Sequence, residues 1–130
     1  MTRWGIYAPF EKFSLDERSD FVDEMETLGY SGLWTAEANW ADGLTPLVLA
    51  AARQGSLRLG LGTVPSFIRG PALLAMNTAA LCRAAPGCVT LTIGSSSDVI
   101  VGRRHGMKFS KPLSDTRKLA RDLAPELVGS

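Results

Sequence analysis

Residues 57–94 read LRLGLGTVPSFIRGPALLAMNTAALCRAAPGCVTLTIG. The stretch opens on Leu57-Arg58-Leu59-Gly60-Leu61-Gly62-Thr63-Val64 and closes on Cys88-Val89-Thr90-Leu91-Thr92-Ile93-Gly94. Both runs alternate or carry β-branched residues and read as strands. Between them Gly70-Pro71 opens a helix through Leu73, Leu74, Met76 and Leu81, and Pro86-Gly87 stops it. A strand, a helix and a strand in this order form a βαβ unit, whose strands must lie parallel.

The same unit recurs toward the N-terminus. Trp4-Gly5-Ile6-Tyr7-Ala8-Pro9 is a first strand ended by Pro9. Ser14-Leu15-Asp16-Glu17 fits a capping box, and Phe21, Val22, Met25 and Leu28 follow at helical spacing, so a helix is predicted over about 15–28 with Gly29 as its stop. Gly32-Leu33-Trp34-Thr35-Ala36-Glu37 is a second strand, and the polar loop Ala38–Gly43 follows it. Thr45-Pro46 predicts a helix start with Thr45 as the cap, continuing from Leu47 to Arg53. Past the fourth strand, Ser95-Ser96-Ser97-Asp98 predicts a short helix over 98–104, although Val99-Ile100-Val101 prefer strand. Leu113, Thr116, Ala120, Leu123 and Leu127 form a helical stripe, with Pro125 predicted to end or kink the helix near Ala124.

Strands that begin near residues 4, 32, 57 and 88 define an α/β class, with parallel (βα) units of the TIM-barrel type. About four units in 130 residues make half a barrel in a single domain, since a full barrel takes about 250 residues. With 14 Lys and Arg against 13 Asp and Glu, the chain lacks the strong basic excess of a nucleic-acid binder. No apolar run approaches the ~20 residues of a membrane span. Met1 to Ile6 lack the apolar core of a signal peptide, and Cys82 and Cys88 read as reduced thiols, so a cytoplasmic protein is expected. No His or Cys cluster suggests a metal.

In parallel α/β folds chemistry gathers at the carboxyl ends of the strands. Ala8-Pro9, Glu37-Ala38-Asn39, Gly62-Thr63-Val64-Pro65 and Gly94-Ser95-Ser96-Ser97-Asp98 all fall there. Glu37 reads either as a carboxylate that orients a ligand or moves a proton, or as a solvated group or the partner of an arginine. Gly60 and Gly62 read as close backbone approach, to a ligand or to neighbouring elements. Gly94 to Ser97 offer amides and hydroxyls for an oxygen-rich ligand, or a plain helix cap. Arg103-Arg104-His105-Gly106-Met107-Lys108 is the most basic stretch, open to a cofactor phosphate, an acidic partner or solvent. Trp34 reads as core and Trp40 as the better pocket residue.

On these segments the chain resembles the luciferase-like monooxygenase family, in particular its deazaflavin-dependent branch related to methylene-tetrahydromethanopterin reductase. The residues that carry the resemblance are Trp4 to Pro9, Leu28 to Glu37, Arg58 to Pro65, Arg69-Gly70-Pro71 and Leu91 to Ser97. The resemblance implies a (βα)8 barrel that binds coenzyme F-420 or flavin mononucleotide at the carboxyl rim and transfers hydride or activates oxygen, acting on a small-molecule substrate. It makes Glu37 the candidate catalytic residue. It makes Ala8, Gly62, Thr63, Val64, Gly94, Ser95, Ser96 and Ser97 the candidate cofactor contacts. It also implies a non-proline cis peptide after the third strand, best matched by Gly62–Thr63.

Barrel phosphate sites are commonly built after the seventh and eighth strands, which have no counterpart in these residues. Four strands also leave two open edges and a bare interior, so a homodimer or other homo-oligomer that closes eight strands is expected. The alternative is a non-catalytic half barrel that only dimerises or joins a full-length relative. A flavodoxin-like sheet that binds phosphate at Ser95 to Ser97 is less favoured, because Ala8-Pro9-Phe10-Glu11 is not glycine-rich.

Overall fold

The computed structural model describes residues 3–37, 42–53 and 55–128. The elements run β1 (Gly5–Tyr7), a 3-10 turn (Phe10–Lys12), α1 (Leu15–Thr27), β2 (Gly32–Thr35), α2 (Thr45–Ala51), β3 (Arg58–Pro65), α3 (Pro71–Ala84), β4 (Val89–Gly94), a π-helical turn (Val99–Arg104) and α4 (Pro112–Val128). The strands form one parallel sheet in the order β1-β2-β3-β4. This is the predicted succession of βα units.

Alternation along the strands divides the sheet into two unlike faces. Leu33, Leu59, Leu61 and Val64 point to the helices, where Leu47, Leu74 and Leu81 complete the buried core. The register sets Ile6 beside Leu33, Leu33 beside Leu59 and Leu61 beside Leu91, so apolar side chains meet along one face. The opposite face carries the row Tyr7, Trp34, Gly60 and Thr90. Tyr7, Thr90 and Thr92 are exposed, so among the described residues no helix covers this face.

Trp34 is therefore only half-buried and lies on the bare face, not in the helix-covered core expected for it. Its indole occupies the space that side chains at Gly60 and Gly5 would need. A Cβ at Gly60 would stand 2.2 Å from the ring, and one at Gly5 would stand 2.8 Å from it. These glycines make room for a tryptophan of the same sheet.

The capping box forms as expected. Ser14 Oγ accepts from the Glu17 amide at 3.3 Å, and Glu17 accepts from the Ser14 amide at 2.7 Å. Ser14→Ala should cost about 1 kcal/mol, read as a fall of about 4 °C in thermal midpoint. A midpoint unchanged by the substitution would refute the role of the cap.

Three expectations are corrected. Thr45 is the first residue of α2 and not its cap; Asp42 instead accepts from the amides of Leu44 and Thr45 at 3.0 and 2.8 Å. α2 also stops at Ala51, short of Arg53. The short helix expected over 98–104 does form, and it winds as a π turn, with the His105 amide bonded to the Ile100 carbonyl; this wider turn buries Val101 fully. α4 continues through Pro125 to Val128. Pro125 and Arg121, whose carbonyl loses its helical donor, are both exposed, where one missing bond costs least. The α4 core contacts are Leu119 and Leu123, while Leu113 and Leu127 of the expected stripe face solvent.

Candidate functional site

The strand ends are tied together by backbone hydrogen bonds. The Ala8 amide donates to the Trp34 carbonyl at 3.0 Å, and the Glu37 amide donates to the Thr63 carbonyl at 3.1 Å. The Ser66 amide donates to the Gly94 carbonyl at 2.7 Å. These bonds bring the ends of all four strands to one rim. Ala8 itself is buried and its amide is already bonded to Trp34, so it supports the rim from beneath.

The rim has a bulge at its centre. Gly62 pairs with Thr92, and Val64 pairs with Ile93, which leaves Thr63 as the extra residue of β3. The Gly62–Thr63 peptide is cis, as the resemblance implied. Strict alternation would bury Thr63 and expose Val64. The bulge reverses this: Thr63 is exposed, and Val64 is fully buried in the core. Thr63 leans on Gly94, where a Cβ would sit 3.3 Å from its hydroxyl. Past Gly94, Ser96 adopts a left-handed backbone with φ 63°. Ser97 accepts weakly from the Ile100 amide at 3.4 Å, so its hydroxyl serves the π turn. Ser95 and Ser96 are half-buried beside it.

Glu37 has a committed partner. The Arg69 Nε donates to both carboxylate oxygens, at 3.0 and 2.8 Å. The side chains are 11% exposed for Glu37 and 15% for Arg69, so the pair is largely shielded from water. Arg69 Nη2 also stands 4.0 Å from Asp42 Oδ1. Asp42 precedes α2 and Arg69 precedes Gly70, the N-cap of α3, so the triad sits where both helices begin. Burial pushes the Asp42 carboxyl up, but the Thr45 amide and hydroxyl, the Leu44 amide and the Arg69 charge together hold it below the usual carboxylate range. A group depressed in this way adds stability above its unfolded pKa and loses that contribution as pH falls through the folded one. A groove of about 450 Å³ between α2 and α3 reaches Asp42, Arg69 and Asn77.

Two groups of rim residues thus emerge. Thr63, Gly94, Ser95 and Ser96 lie around the bulge, and Glu37, Arg69 and Asp42 lie toward the helix starts. Arg69 and Asp42 were not among the sequence candidates. Arg69 stands in the quoted Arg69-Gly70-Pro71 motif, but nothing local marks it as the partner of a carboxylate 32 residues away. Ala38, Asn39 and Trp40 lie outside the described residues. Arg103, His105 and Lys108 of the basic stretch are exposed.

Among the described residues, no three His, Cys, Asp or Glu side chains are grouped to hold a metal ion. No described helix is long and apolar enough to cross a membrane. Cys82 and Cys88 are free thiols.

Comparison with known proteins matches residues 2–121 to the family described as luciferase-like monooxygenase. A Mycobacterium tuberculosis protein named as a coenzyme F-420-dependent oxidoreductase is 30% identical over 115 residues, which is 88% of this chain and 31% of that protein. Among solved structures, an F-420-dependent secondary alcohol dehydrogenase in complex with an F-420-acetone adduct superposes with a TM-score of 0.81 at 17% identity, over 94% of this chain and 41% of that one. The oxygenating constituent of a type II Baeyer-Villiger monooxygenase from Pseudomonas putida, solved with flavin mononucleotide, gives 0.75 at 18% identity, over 93% and 38%. The chain spans about a third of the length of the curated relatives it matches.

Proposed function

Because the chain belongs to the luciferase-like monooxygenase family, we propose that it is an oxidoreductase domain, the N-terminal half of a (βα)8 barrel, that uses coenzyme F-420, or else flavin mononucleotide, on a small-molecule substrate. The observation that carries this reading is the rim of the bare sheet face. There the bulge turns Thr63 outward next to Gly94, with Trp34 laid across Gly60 on the same face. A flat, half-exposed indole, missing side chains and a fringe of hydroxyls fit a planar, oxygen-rich ring system.

When bound, the ring supplies a centre that takes up or gives back hydride, or activates oxygen in its flavin form. The chain's residues would do the holding. Gly62 and Thr63 offer backbone groups, Gly94 to Ser97 offer amides and hydroxyls, and the buried Val64 and Ala8 support the rim from beneath. Glu37, fixed by Arg69, supplies a pre-oriented negative charge at the rim. The bare face and the two sheet edges are closed in a homodimer, which keeps water from the ring. The exposed thiol of Cys82 suits the reducing cytoplasm.

Titration of the purified chain with each cofactor, followed by absorbance and fluorescence, tests the reading. Micromolar binding of either one is expected. Failure of both would favour the second reading, a non-catalytic half barrel that only self-associates or joins a full-length relative. The specific observation behind that alternative is that Arg69 already occupies both oxygens of Glu37.

A further inference from the structure

A cavity of about 190 Å³ opens between the 3-10 turn, α1 and α2, on the helix side of the sheet. These elements lie between β1 and β3, so the cavity is built without a sheet edge or a chain end. Its walls are apolar. Phe10, Val22, Pro46 and Ala50 are buried, and Leu49, 41% exposed, stands at the mouth.

Two guanidinium groups line the cavity, and they are used differently. Arg53 is committed: its Nε donates to Asp23 at 3.2 Å, and its Nη atoms are taken by Ser19 and the second Asp23 oxygen. Arg18 is half-buried and only partly committed. Its Nε donates to the Phe13 carbonyl at 3.1 Å, and its guanidinium carbon lies 5.9 Å from the centre of the Phe10 ring. It makes no ion pair among the described residues. What remains is the Nη1–Nη2 pair at the end of a planar fork, the geometry that takes a carboxylate with two hydrogen bonds.

We propose that this cavity binds a small aryl monocarboxylate, with the carboxylate on Arg18 and the ring against Phe10, Val22, Pro46 and Leu49. Because it lies on the helix side of the sheet, the site stands whether or not a cofactor binds at the rim. Size sets the ligand class: an apolar cavity of about 150 Å³ holds a benzene ring, so 190 Å³ adds room for a short arm. Charge sets the head group. α1 carries six acidic residues against Arg18 alone, so a doubly charged phosphate meets a repulsion that a single carboxylate largely escapes. Those acidic residues stand clear of the cavity. At 3.6 residues per turn, Asp16, Glu17 and Asp20 project away from the side of α1 that carries Arg18, Ser19 and Val22, and Asp23 is neutralised by Arg53. A neutral ligand would leave the Arg18 Nη donors unmatched in a half-buried site.

Calorimetric titration of the intact chain at constant ionic strength is the test. Benzoate and phenylpropionate should bind with a dissociation constant of about 1 mM, a reasonable affinity for so few atoms. At ten times that concentration they should raise the thermal midpoint by about 5 °C. Benzamide keeps the ring without the charge, and acetate keeps the charge without the ring; each should bind at least about tenfold more weakly. Arg18→Gln should weaken benzoate about tenfold and leave benzamide unchanged. Arg18 also holds Phe13, so circular dichroism checks that the variant folds. If it does not, Leu49→Glu at the exposed mouth decides by the same readout, with benzoate about tenfold weaker and benzamide little changed. Absence of saturable benzoate binding, equal affinity for benzamide, or unchanged benzoate affinity in a folded variant overturns the proposal. So does a site that takes the peptide acetyl-Gly-Phe but neither free acid, since its ligand is then a peptide end.

Discussion

Gly60→Ala is expected to destabilise the chain by about 3 kcal/mol, at the upper end of what overpacking costs. The added Cβ would fall 2.2 Å from the Trp34 ring. β3 is hydrogen-bonded to β2 on one side and β4 on the other, so its backbone has nowhere to retreat. The indole must leave instead and lose its contact with the sheet. Trp34→Ala should therefore rescue Gly60→Ala: the double variant should be more stable than the sum of the single losses allows, by about 1–2 kcal/mol. Gly70→Ala is the control. Nothing stands within 4 Å of a Cβ there, and its loss should stay under about 1 kcal/mol. Urea denaturation followed by circular dichroism measures all of these. Strict additivity of Gly60→Ala and Trp34→Ala would show that the ring does not need the glycine.

The second large effect concerns the rim pair. Glu37→Gln and Arg69→Met should each cost about 2–3 kcal/mol, because each leaves a shielded charge without its partner. The double variant should cost less than the sum, by about 1–2 kcal/mol, since no orphaned charge remains. Arg69 keeps Asp42 at 4.0 Å as a weaker partner, which holds the Glu37→Gln loss toward the lower figure. Activity separates the two roles of Glu37. If it is catalytic, Glu37→Gln should lose more turnover than Arg69→Met at equal loss of stability. If turnover falls in step with folding in both variants, Glu37 is only the structural partner of Arg69.

Local chemistry accounts for much of what could be read in advance. The strand positions, the Ser14 capping box and the α3 start at Pro71 depend on neighbours a few residues apart, and these stood in the sequence. The α2 start at Thr45 was read correctly but its cap was not, because the carboxylate that takes the first amides, Asp42, lies three residues before Thr45 in an irregular loop. The α4 stripe was read correctly as helix, but only Leu123 of it is buried. Periodicity shows which residues share a face, but not how much of that face an end-of-sheet helix covers.

The sequence by itself determined that this is a parallel α/β chain of four units whose polar and glycine-rich segments share one rim, because alternation, caps and breakers act over short range. The tertiary structure decided the chemistry of that rim. Only the β3–β4 register creates the bulge that exposes Thr63 and buries Val64. Only the packing of the sheet brings Trp34 onto Gly60 and Arg69 onto Glu37. Each joins residues distant in sequence, and no local periodicity records such a meeting.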